Sequence, residues 1–320
     1  MQDFPLGEKP LSIAMLGMVD GNGHPYSWSA IFNGYDPEAM ARCPYAAIPA
    51  YLDAEPKDNL GIPNARVTHV WTDDPADAPK VAEAALIPNV VANPEDVIGA
   101  VDAVVIATDI GHEHVARCRP FVEAGLPVFV DKPLVDNAAD LAVFHDWVNA
   151  GRPILSGSAL AYAKEFAPWR ESTDSLGDLR HVTVTTAKSW ERYGIHALSA
   201  MYPILGPGFV SAQNTGDARR NVVHLKHARG VDVTVAAIAD MYGGFGCLQL
   251  CGTKDSAQAK FKDTFHAFKA QLVDFVQWLR TGVAPFPWSE TEELMRLVIA
   301  GIVSREEGGR VVPLSEIACG

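Results

Sequence analysis

The sequence has few cysteines and few positive charges, and both shortages limit its chemistry. Its five cysteines are an odd number and show no paired metal-ligand spacing, so we expect a reduced protein without a metal site. Lysine and arginine number 26 against 39 aspartates and glutamates, a net charge of −13. Because so acidic a surface repels phosphate backbones, we expect no nucleic-acid partner.

Long apolar runs are also absent. No stretch approaches the roughly 20 apolar residues that a membrane helix needs. The opening residues, MQDFP, lack the basic and apolar segments of a secretory signal. We therefore expect no membrane partner and a cytoplasmic location. Apolar residues nevertheless make up 48% of the chain, enough for a sizeable core, which excludes a largely disordered protein.

Segments typical of strands and helices alternate in the first part of the chain. Short apolar runs predict four strands, at 11–16, 66–72, 101–108 and 127–130. Helical spacing between the last two runs ends at Gly125, a residue type that commonly ends helices. This alternation predicts an α/β domain with a doubly wound parallel sheet over residues 1–134, which binds its ligand beyond the carboxyl ends of the strands.

Residues 135–320 follow a different pattern, typical of a second α/β domain. Two runs alternate at period two, as half-buried strands of a large, open, mainly antiparallel sheet do, at 180–185 and 231–235. Cys247 and Cys251 have the spacing of residues on one strand face and are predicted to lie in the core. Two amphipathic helices close the chain, and the sequence SETE at 289–292 predicts a capping box at the start of the second.

One segment, about 33–64, interrupts the first alternation. It is rich in proline, tyrosine and alanine and shows no clean periodicity. A connection of this length is uncommon in a compact domain. Two interpretations remain open: a surface elaboration packed on the first domain, or a loop that covers the ligand cleft or builds a subunit contact.

A glycine turn follows the first predicted strand, as dinucleotide binding requires, because backbone N–H groups there approach the pyrophosphate. Its glycines are Gly17, Gly21 and Gly23, followed by His24. The spacing is G-x-x-x-G-x-G instead of the usual G-x-G-x-x-G. Its position directly after a buried strand predicts that these four residues bind cofactor.

The second predicted strand ends in residues suited to reading the cofactor's ribose. A carboxylate at that position accepts hydrogen bonds from the 2′-hydroxyl and repels a 2′-phosphate. Thr72 and Asp73 are the candidates, with the register uncertain by one residue. Asp73 at the reading position favours NAD over NADP, whereas Thr72 there weakens that preference.

A set of ordered motifs carries a resemblance to a known family. They are VDAVVIAT at 101–108, His114, EAG at 123–125, DKPL at 131–134 and, more loosely, GCLQLCGT at 246–253. This pattern resembles the glucose–fructose oxidoreductase/inositol dehydrogenase/MocA (Gfo/Idh/MocA) family. The resemblance implies an N-terminal Rossmann domain and a C-terminal α/β domain, with NAD(P)-dependent oxidation of a sugar or polyol between them.

The resemblance assigns roles to three residues of the first domain. Lys132 stands just past a parallel strand, where its ammonium hydrogen-bonds the reacting oxygen and stabilises developing negative charge. Thr108, at the end of the third strand, and His114 match family positions and are assigned to cofactor binding. For His114 an alternative remains, that it orients the strand end.

In the second domain the segment from Trp190 to Ser199 is similar to the family's D-x-G-x-H-x-x-D helix start. It places His196 on the family's catalytic histidine, a residue type that transfers protons near neutral pH. Arg192 and Ser199 replace the two aspartates, which puts ordinary alcohol oxidation in question. Tyr193, Glu191 or His24 are candidates to substitute for the missing carboxylate.

Three further residues are assigned to the substrate. Arg192 either binds a substrate carboxylate bidentately through its guanidinium or simply forms a surface ion pair. Trp190 lies beside it in sequence. Tyr26 follows the glycine turn, and either stacks on substrate or nicotinamide or packs within its helix.

These observations predict an NAD(P)-dependent oxidoreductase acting on a sugar, inositol or related polyol, with Lys132, His196 and Tyr193 as catalytic residues. Two alternatives remain. One is a lyase, epimerase or hydrolase in which bound NAD is regenerated, and the other is a non-catalytic dinucleotide- or sugar-binding protein. The family resemblance also implies a homodimer or homotetramer formed through the exposed face of the second sheet.

Overall fold

A computed structural model describes residues 4–318. Cys319 and the first three residues of the opening segment MQDFP, which was predicted not to be a secretory signal, lie outside this described part. The first sheet consists of β1 (Leu11–Leu16), β2 (Ala65–Trp71), β3 (Asn89–Val90), β4 (Ala103–Ile106), β5 (Val128–Val130) and β6 (Ile154–Ser156). All its neighbours are parallel, in the order β3-β2-β1-β4-β5-β6. The strand order reverses between β1 and β4, which is where such sheets bind ligands.

Helices cover both faces of this sheet, as the alternation of the sequence predicts. They are α1 (His24–Asn33), α2 (Pro37–Met40), α3 (Ala47–Asp53), α4 (Ala78–Ala84), α5 (His114–Ala124) and α6 (Ala138–Asn149). Gly125 ends α5 in the left-handed conformation, as predicted. The sheet continues past the boundary predicted at residue 134, because α6 and β6 add one more βαβ unit to it.

The second sheet is larger and mixed. Its strands are β7 (Leu179–Ala187), β8 (Phe209–Asn214), β9 (Arg220–His227), β10 (Asp232–Ile238), β11 (Cys247–Gly252), β12 (Ser256–Lys260) and β13 (Val312–Pro313), and its helices are α7 (Ala167–Glu171), α8 (Ile195–Leu205), α9 (Thr264–Thr281) and α10 (Trp288–Glu306). The order is β12-β11-β7-β10-β9-β8-β13. Only β7 and β10 pair in parallel among these strands, so the sheet is mainly antiparallel, as predicted.

Side chains on this sheet alternate between a buried face, which α8 and α10 cover, and an open face. The prediction that Cys247 and Cys251 lie in the core is wrong. Both are partly exposed on the open face, whereas Leu248 and Leu250 of the same strand are buried. Period two indicated that the two cysteines share a face, but the pairing of the sheet decides which face is covered.

The last part of the chain also returns to the first sheet. Along α9, Phe265, Leu272 and Phe275 belong to the same buried cluster as β1 and α1. The ring centroids of Phe275 and Phe129 of β5 are 5.2 Å apart. The core of the first sheet is therefore completed by a helix that begins 108 residues after the last strand of that sheet, and the predicted division at residue 134 does not describe this packing.

Two local features complete the fold. The predicted capping box at 289–292 does not form, because α10 begins at Trp288 with Pro287 as its N-cap and no side-chain cap bond. The segment 33–64 contains α2 and α3, which pack against α4, α1 and α9. Within residues 4–318, none of the helices combines the length and apolar character that crossing a lipid bilayer requires.

Candidate active site

A cavity of about 130 Å³ lies where the carboxyl edge of the first sheet meets the second sheet's helices. Its polar lining comes from the β1–α1 turn, the start of α1, the segments after β4 and β5, the π-helical turn before α8 and the start of α8. In that order the residues are Asn22, His24, Asp109, Lys132, Tyr193 and His196. Phe245, Phe261 and Phe268 close its apolar side. The structure thus brings the three predicted catalytic residues, Lys132, Tyr193 and His196, to one space, together with His24.

Lys132 is the buried cation of this cavity, with 3% of its surface exposed. Its Nζ lies 3.4 Å from Asp109 Oδ2. Burial opposes the charged form, but the carboxylates of Asp131 and Asp109 outweigh it and raise the pKa of Lys132 above its ordinary value. Lys132 is therefore an ammonium at neutral pH and acts as a hydrogen-bond donor.

Asp109 also pairs with Arg192, which stands in a turn of π-helix at Trp190–Gly194. Arg192 Nη2 is 2.5 Å from Asp109 Oδ1 and Nε is 3.1 Å from Oδ2. The same guanidinium donates to the carbonyl of Asp20 at 3.1 Å. Arg192 thus forms an ion pair, but with a carboxylate that is buried in the cavity and not, as the alternative predicted, on the surface. π-Helical turns inside helices often mark functional sites.

The pKa of Asp109 reports this environment. Burial raises it, but Lys132 and the hydrogen-bonded Arg192 more than compensate and hold the pKa of Asp109 at about 2. Position 192, where the family pattern has a carboxylate, is an arginine in this chain, but the Asp109 carboxylate, three residues after β4, pairs with it.

His196 is a neutral imidazole. Its Nδ1 lies 2.7 Å from the hydroxyl of Ser158. Burial, together with the positive charges of Lys132, His24 and Lys188, lowers the pKa of His196 well below its ordinary value. Protonating this ring would add a charge beside Lys132 in a buried site, so His196 is uncharged at neutral pH.

Tyr193 lies between two ammonium groups. Lys132 Nζ is 4.9 Å and Lys188 Nζ 4.4 Å from the centre of its ring, and the ring stands edge-on to His196 at 4.9 Å. Such cation–π contacts fix the ring in place. Lys188 also donates to the carbonyl of Gly21 at 3.3 Å, which joins the second sheet to the glycine turn.

His24 is held by a buried carboxylate. Its Nδ1 is 2.6 Å from Asp131 Oδ2. Asn22 donates to the same oxygen at 2.9 Å, and the backbone N–H of Lys132 donates to Oδ1 at 2.7 Å. The ring of His24 stacks on Trp28, with centroids 4.2 Å apart.

Gly17 and Asp73, which follow β1 and β2, form the candidate nucleotide site. Gly17 has φ +92°, and a Cβ there would stand 2.6 Å from the Thr108 methyl, so only glycine fits. Asp73 accepts from the N–H of Met18 at 2.9 Å and from Arg117 at 2.7 Å. Its side chain is one-third exposed.

Thr72 is buried, and its hydroxyl donates to the carbonyl of Asp74 at 2.6 Å. Its hydroxyl is thus used within the turn, while Asp73 faces the glycine turn. Of the two, Asp73 is therefore the residue whose side chain is partly exposed beside the glycine turn.

The remaining glycines of the turn differ in surroundings. Gly21 has φ +76° and only the Lys188 ammonium near its missing side chain, at 3.7 Å. Gly23 instead supports the inserted segment, since a Cβ there would stand 2.5 Å from the ring of Tyr45 and 2.6 Å from Ile48. The segment 33–64 therefore packs directly against the start of α1.

Two substrate predictions are wrong. Tyr26 is 2% exposed and packs in the core of the first sheet. Trp190 is fully buried, donates its indole N–H to the carbonyl of Val298 at 2.8 Å, and packs against Gly194. Both side chains stabilise the fold because their helical turns point them inward, a direction that the motif match did not define.

Thr108 and His114 are buried supports of the strand ends. His114 Nδ1 lies 2.9 Å from the carbonyl of Leu134 and Nε2 3.0 Å from that of Thr108. Burial lowers the pKa of His114. It ties the end of β4 to the segment after β5, which is the alternative role that the sequence left open.

The residues present fit a nicotinamide dinucleotide. The β1–α1 turn carries no side chain at Gly17 and Gly21, a carboxylate ends β2 at Asp73, and the Lys188 ammonium lies against the turn. These are the groups that the ribose hydroxyls and the pyrophosphate require. Lys132 and the neutral His196 lie in the cavity near the middle of the same edge.

Sequence reasoning missed four polar residues of the site. Asp109 immediately follows the third predicted strand, and the rule that ligands bind at carboxyl ends of strands was the signal that could have found it. Asp131 was seen only as part of a Lys-Pro motif. Asn22 and Ser158 were missed because the partners that connect them to the site, Asp131 and His196, lie 109 and 38 residues away.

Sequence comparison gives two matches. Residues 46–147 match the model of the GFO_IDH_MocA oxidoreductase family, described as an NAD-binding Rossmann fold. A segment of 93 residues is 37% identical to inositol 2-dehydrogenase 1 of Saccharopolyspora erythraea. That alignment spans 27% of this chain and 27% of the relative, so the chain matches about a quarter of that protein's length.

Structural comparison covers the whole fold. The scyllo-inositol dehydrogenase of Lactobacillus casei superposes with a TM-score of 0.76 at 12% identity, over 97% of this chain and 100% of that one. The myo-inositol dehydrogenase of the same organism, in complex with NAD(H) and myo-inositol, superposes with a TM-score of 0.71 at 14% identity, over 95% of this chain and 96% of that one. The myo-inositol dehydrogenase of Corynebacterium glutamicum superposes with a TM-score of 0.70 at 18% identity, over 95% of this chain and 98% of that one.

The identities to these solved structures are too low to carry more than the fold, but the fold agrees with the sequence match. The superpositions cover nearly the whole chain, and the matched segment 46–147 lies in the part that forms the parallel sheet of six strands. The motifs at 101–134 lie inside this segment, so the match agrees with the resemblance: about a third of the chain, residues 46–147, is similar to the Gfo/Idh/MocA family of NAD-binding oxidoreductases.

Proposed function

We propose that this protein is an NAD-dependent oxidoreductase that transfers hydride between nicotinamide and a sugar, inositol or related polyol. One observation carries the proposal. The Lys132 ammonium and the His196 imidazole, 64 residues apart in sequence, line one cavity at the carboxyl edge of the first sheet. That cavity is polar on one side and apolar on the other, which suits a small polyhydroxylated ring.

Lys132 binds the reacting oxygen of the substrate in this proposal. Its ammonium donates a hydrogen bond and stabilises the negative charge that develops as the hydroxyl proton leaves. Because Asp109 and Asp131 keep Lys132 protonated, it is available as a donor throughout the physiological pH range. His196 and Tyr193 border the same space and orient the remaining hydroxyl groups.

Gly17, Gly21 and Asp73 hold the dinucleotide, and the oxidised nicotinamide supplies the hydride acceptor when bound. The Asp73 carboxylate favours NAD, since a 2′-phosphate would face its negative charge. The ion pair with Arg117 leaves this preference in place, because Arg117 is itself shared with Glu113 at 2.7 Å.

The test is a screen of sugars, inositols, other polyols and their keto forms, following the absorbance of reduced cofactor with NAD and with NADP. We expect turnover with NAD, and Lys132→Met to lower kcat at least about 100-fold. Lys80→Met, which removes an exposed lysine on α4, is the matched control and should keep full activity.

Three outcomes would replace this proposal. Product formation without net NADH would indicate an epimerase, lyase or hydrolase that regenerates its cofactor. Tight binding of NAD and polyol without any reaction would indicate a binding protein. Turnover that Lys132→Met leaves unchanged would remove the assigned site.

We also propose that two copies pair through the open face of the second sheet. This face presents side chains of five long neighbouring strands that none of the helices described in residues 4–318 covers. Val222 of β9 is 39% exposed and Val210 of β8 is 50% exposed on this sheet. Exposed apolar side chains of this kind commonly mark protein interfaces.

A further inference from the structure

The cavity contains two histidines whose surroundings differ in charge. His24 is the first residue of α1, and His196 lies in the first turn of α8. Both line the cavity that also holds Lys132. The family pattern assigns proton transfer to the histidine of α8, so the second imidazole has no role in it.

Asp131 gives His24 the geometry of a proton-transfer pair. The carboxylate is 1% exposed and receives three donors: Asn22, His24 and the backbone N–H of Lys132. Its position is therefore fixed, and it points one oxygen at His24 Nδ1 from 2.6 Å. A carboxylate so placed holds the proton on Nδ1 and stabilises the imidazolium that forms when Nε2 gains a second proton.

The ring of His24 is also held from its faces. It stacks on Trp28 and meets the edge of Phe268 at 5.2 Å. With Nδ1 committed to Asp131, Nε2 is the nitrogen left for a ligand, and no side chain or carbonyl in residues 4–318 hydrogen-bonds to it. A ring fixed on three sides with one free nitrogen in a cavity is positioned for proton transfer.

His196 has the opposite environment. Its Nδ1 partner is the neutral hydroxyl of Ser158, and its charged neighbours are Lys132, His24 and Lys188, all cations or potential cations. The carboxylates of this cavity face elsewhere: Asp131 faces His24 and Lys132, and Asp109 faces Lys132 and Arg192. A proton on His196 therefore meets no counter-charge.

We infer that His24, oriented by Asp131, is the group that accepts the substrate hydroxyl proton, while His196 stays neutral and positions the substrate by hydrogen bonding. The inference rests on the proposed oxidoreductase function. In that reaction the O–H bond breaks as Nε2–H forms on His24, and the C–H bond breaks as its hydride passes with both electrons to the oxidised nicotinamide. Asp131 balances the new imidazolium charge.

The first test observes the rings directly, without turnover. Histidine labelled with ¹⁵N in the full-length protein is titrated between pH 5 and 9 by NMR, with resonances assigned through His24→Gln and His196→Gln. We expect His24 to become an imidazolium and His196 to stay neutral. Asp131→Asn should change the ¹⁵N shifts of the His24 ring, because its Nδ1 loses the carboxylate partner, and should leave those of His196 unchanged.

The exposed pair His112–Asp136, with Nδ1 2.9 Å from Oδ2, is the matched control outside the cavity. Asp136→Asn should shift only His112, and His112→Gln should leave activity within about twofold of the parent. If Asp131→Asn fails to fold, the titration of the parent still decides which imidazole takes up the proton.

The second test is kinetic. We expect His24→Gln to lower kcat about 100-fold or more and to remove the acidic limb of the pH profile of kcat/KM. His196→Gln should raise KM more than it lowers kcat and keep that limb. Retention of the limb in His24→Gln, or an NMR titration in which His196 and not His24 gains the proton, overturns the inference. If the parent oxidises no polyol, the proposed function fails, and a neutral His24 in the titration would overturn this inference separately.

Discussion

At the scale of single residues, the site is a balance of buried charges. Asp131 and Lys132 follow β5, Asp109 lies three residues after β4, and Arg192 comes from the π-helical turn before α8. Two cations and two carboxylates thus share a small volume. Removing one member of such a buried ion pair leaves its partner without a counter-charge and commonly lowers the free energy of unfolding by about 3–5 kcal/mol.

Asp109→Asn tests this balance. The folded pKa of Asp109, about 2, lies below the ordinary value of an aspartate. Its ionised form therefore contributes stability above about pH 4, on the order of 2 kcal/mol, which is lost as the pH falls through about 2. We expect Asp109→Asn to lower the free energy of unfolding at pH 7 and to flatten its decline between pH 4 and 2. Urea unfolding at several pH values measures both, and an unchanged pH dependence would contradict the role.

A second prediction concerns Gly17. Both Gly17 and Gly99 have positive φ, +92° and +86°, but only at Gly17 would a Cβ meet another atom, the Thr108 methyl at 2.6 Å. Gly99→Ala should cost about 1 kcal/mol from backbone strain alone. Gly17→Ala should cost clearly more and weaken NADH binding, measured by fluorescence titration, because the turn must shift away from Thr108. Equal costs for the two variants would show that this contact does not shape the turn.

At the scale of elements, α9 joins the two parts of the chain. Phe275 on this helix is fully buried in the first sheet's core, whereas Val273, two residues earlier, is 40% exposed. The backbone N–H of Leu6 also bonds to the carbonyl of Leu279 at 2.8 Å. Without α9, which comes from the far end of the sequence, the first sheet would lack part of its core.

This packing leads to a prediction about cooperativity. Phe275→Ala should cost about 3–5 kcal/mol, the usual range for a buried phenylalanine, and Val273→Ala should cost less than about 1 kcal/mol. Urea unfolding followed by circular dichroism and by tryptophan fluorescence should show coincident transitions in the parent, since both sheets depend on α9. Two separate transitions in the parent would show that the two parts unfold independently.

At the scale of the whole molecule, one face of the second sheet is left uncovered by the helices described in residues 4–318. Thr234 and Ala236 of β10 are partly exposed at its centre, and their cross-strand neighbours include His224 and Val222 of β9. The covered face of the same strands is fully buried by contrast. An antiparallel sheet with one uncovered face suits the pairing of two copies.

Ala236→Arg tests the pairing. A guanidinium at the centre of a paired face would lie unpaired against its copy, so we expect the mass in light scattering after gel filtration to fall to that of the 34.5 kDa chain. Val283→Arg, at a position 72% exposed just after α9, should leave the mass unchanged. A parent that already runs as a monomer would contradict the proposed pairing.

Local patterns in the sequence determined the strands of the first sheet, the helices between them, the position of Lys132 at a strand end and the family resemblance. These follow from periodicity and short motifs, which act over a few neighbouring residues. Only the tertiary structure decided that Tyr26 and Trp190 point into the core, that Asp109 faces Arg192, and that Asp131 supports His24. Those contacts join residues 83 and 107 positions apart in the last two cases, and they depend on strand order and on how the two sheets meet, which no local pattern encodes.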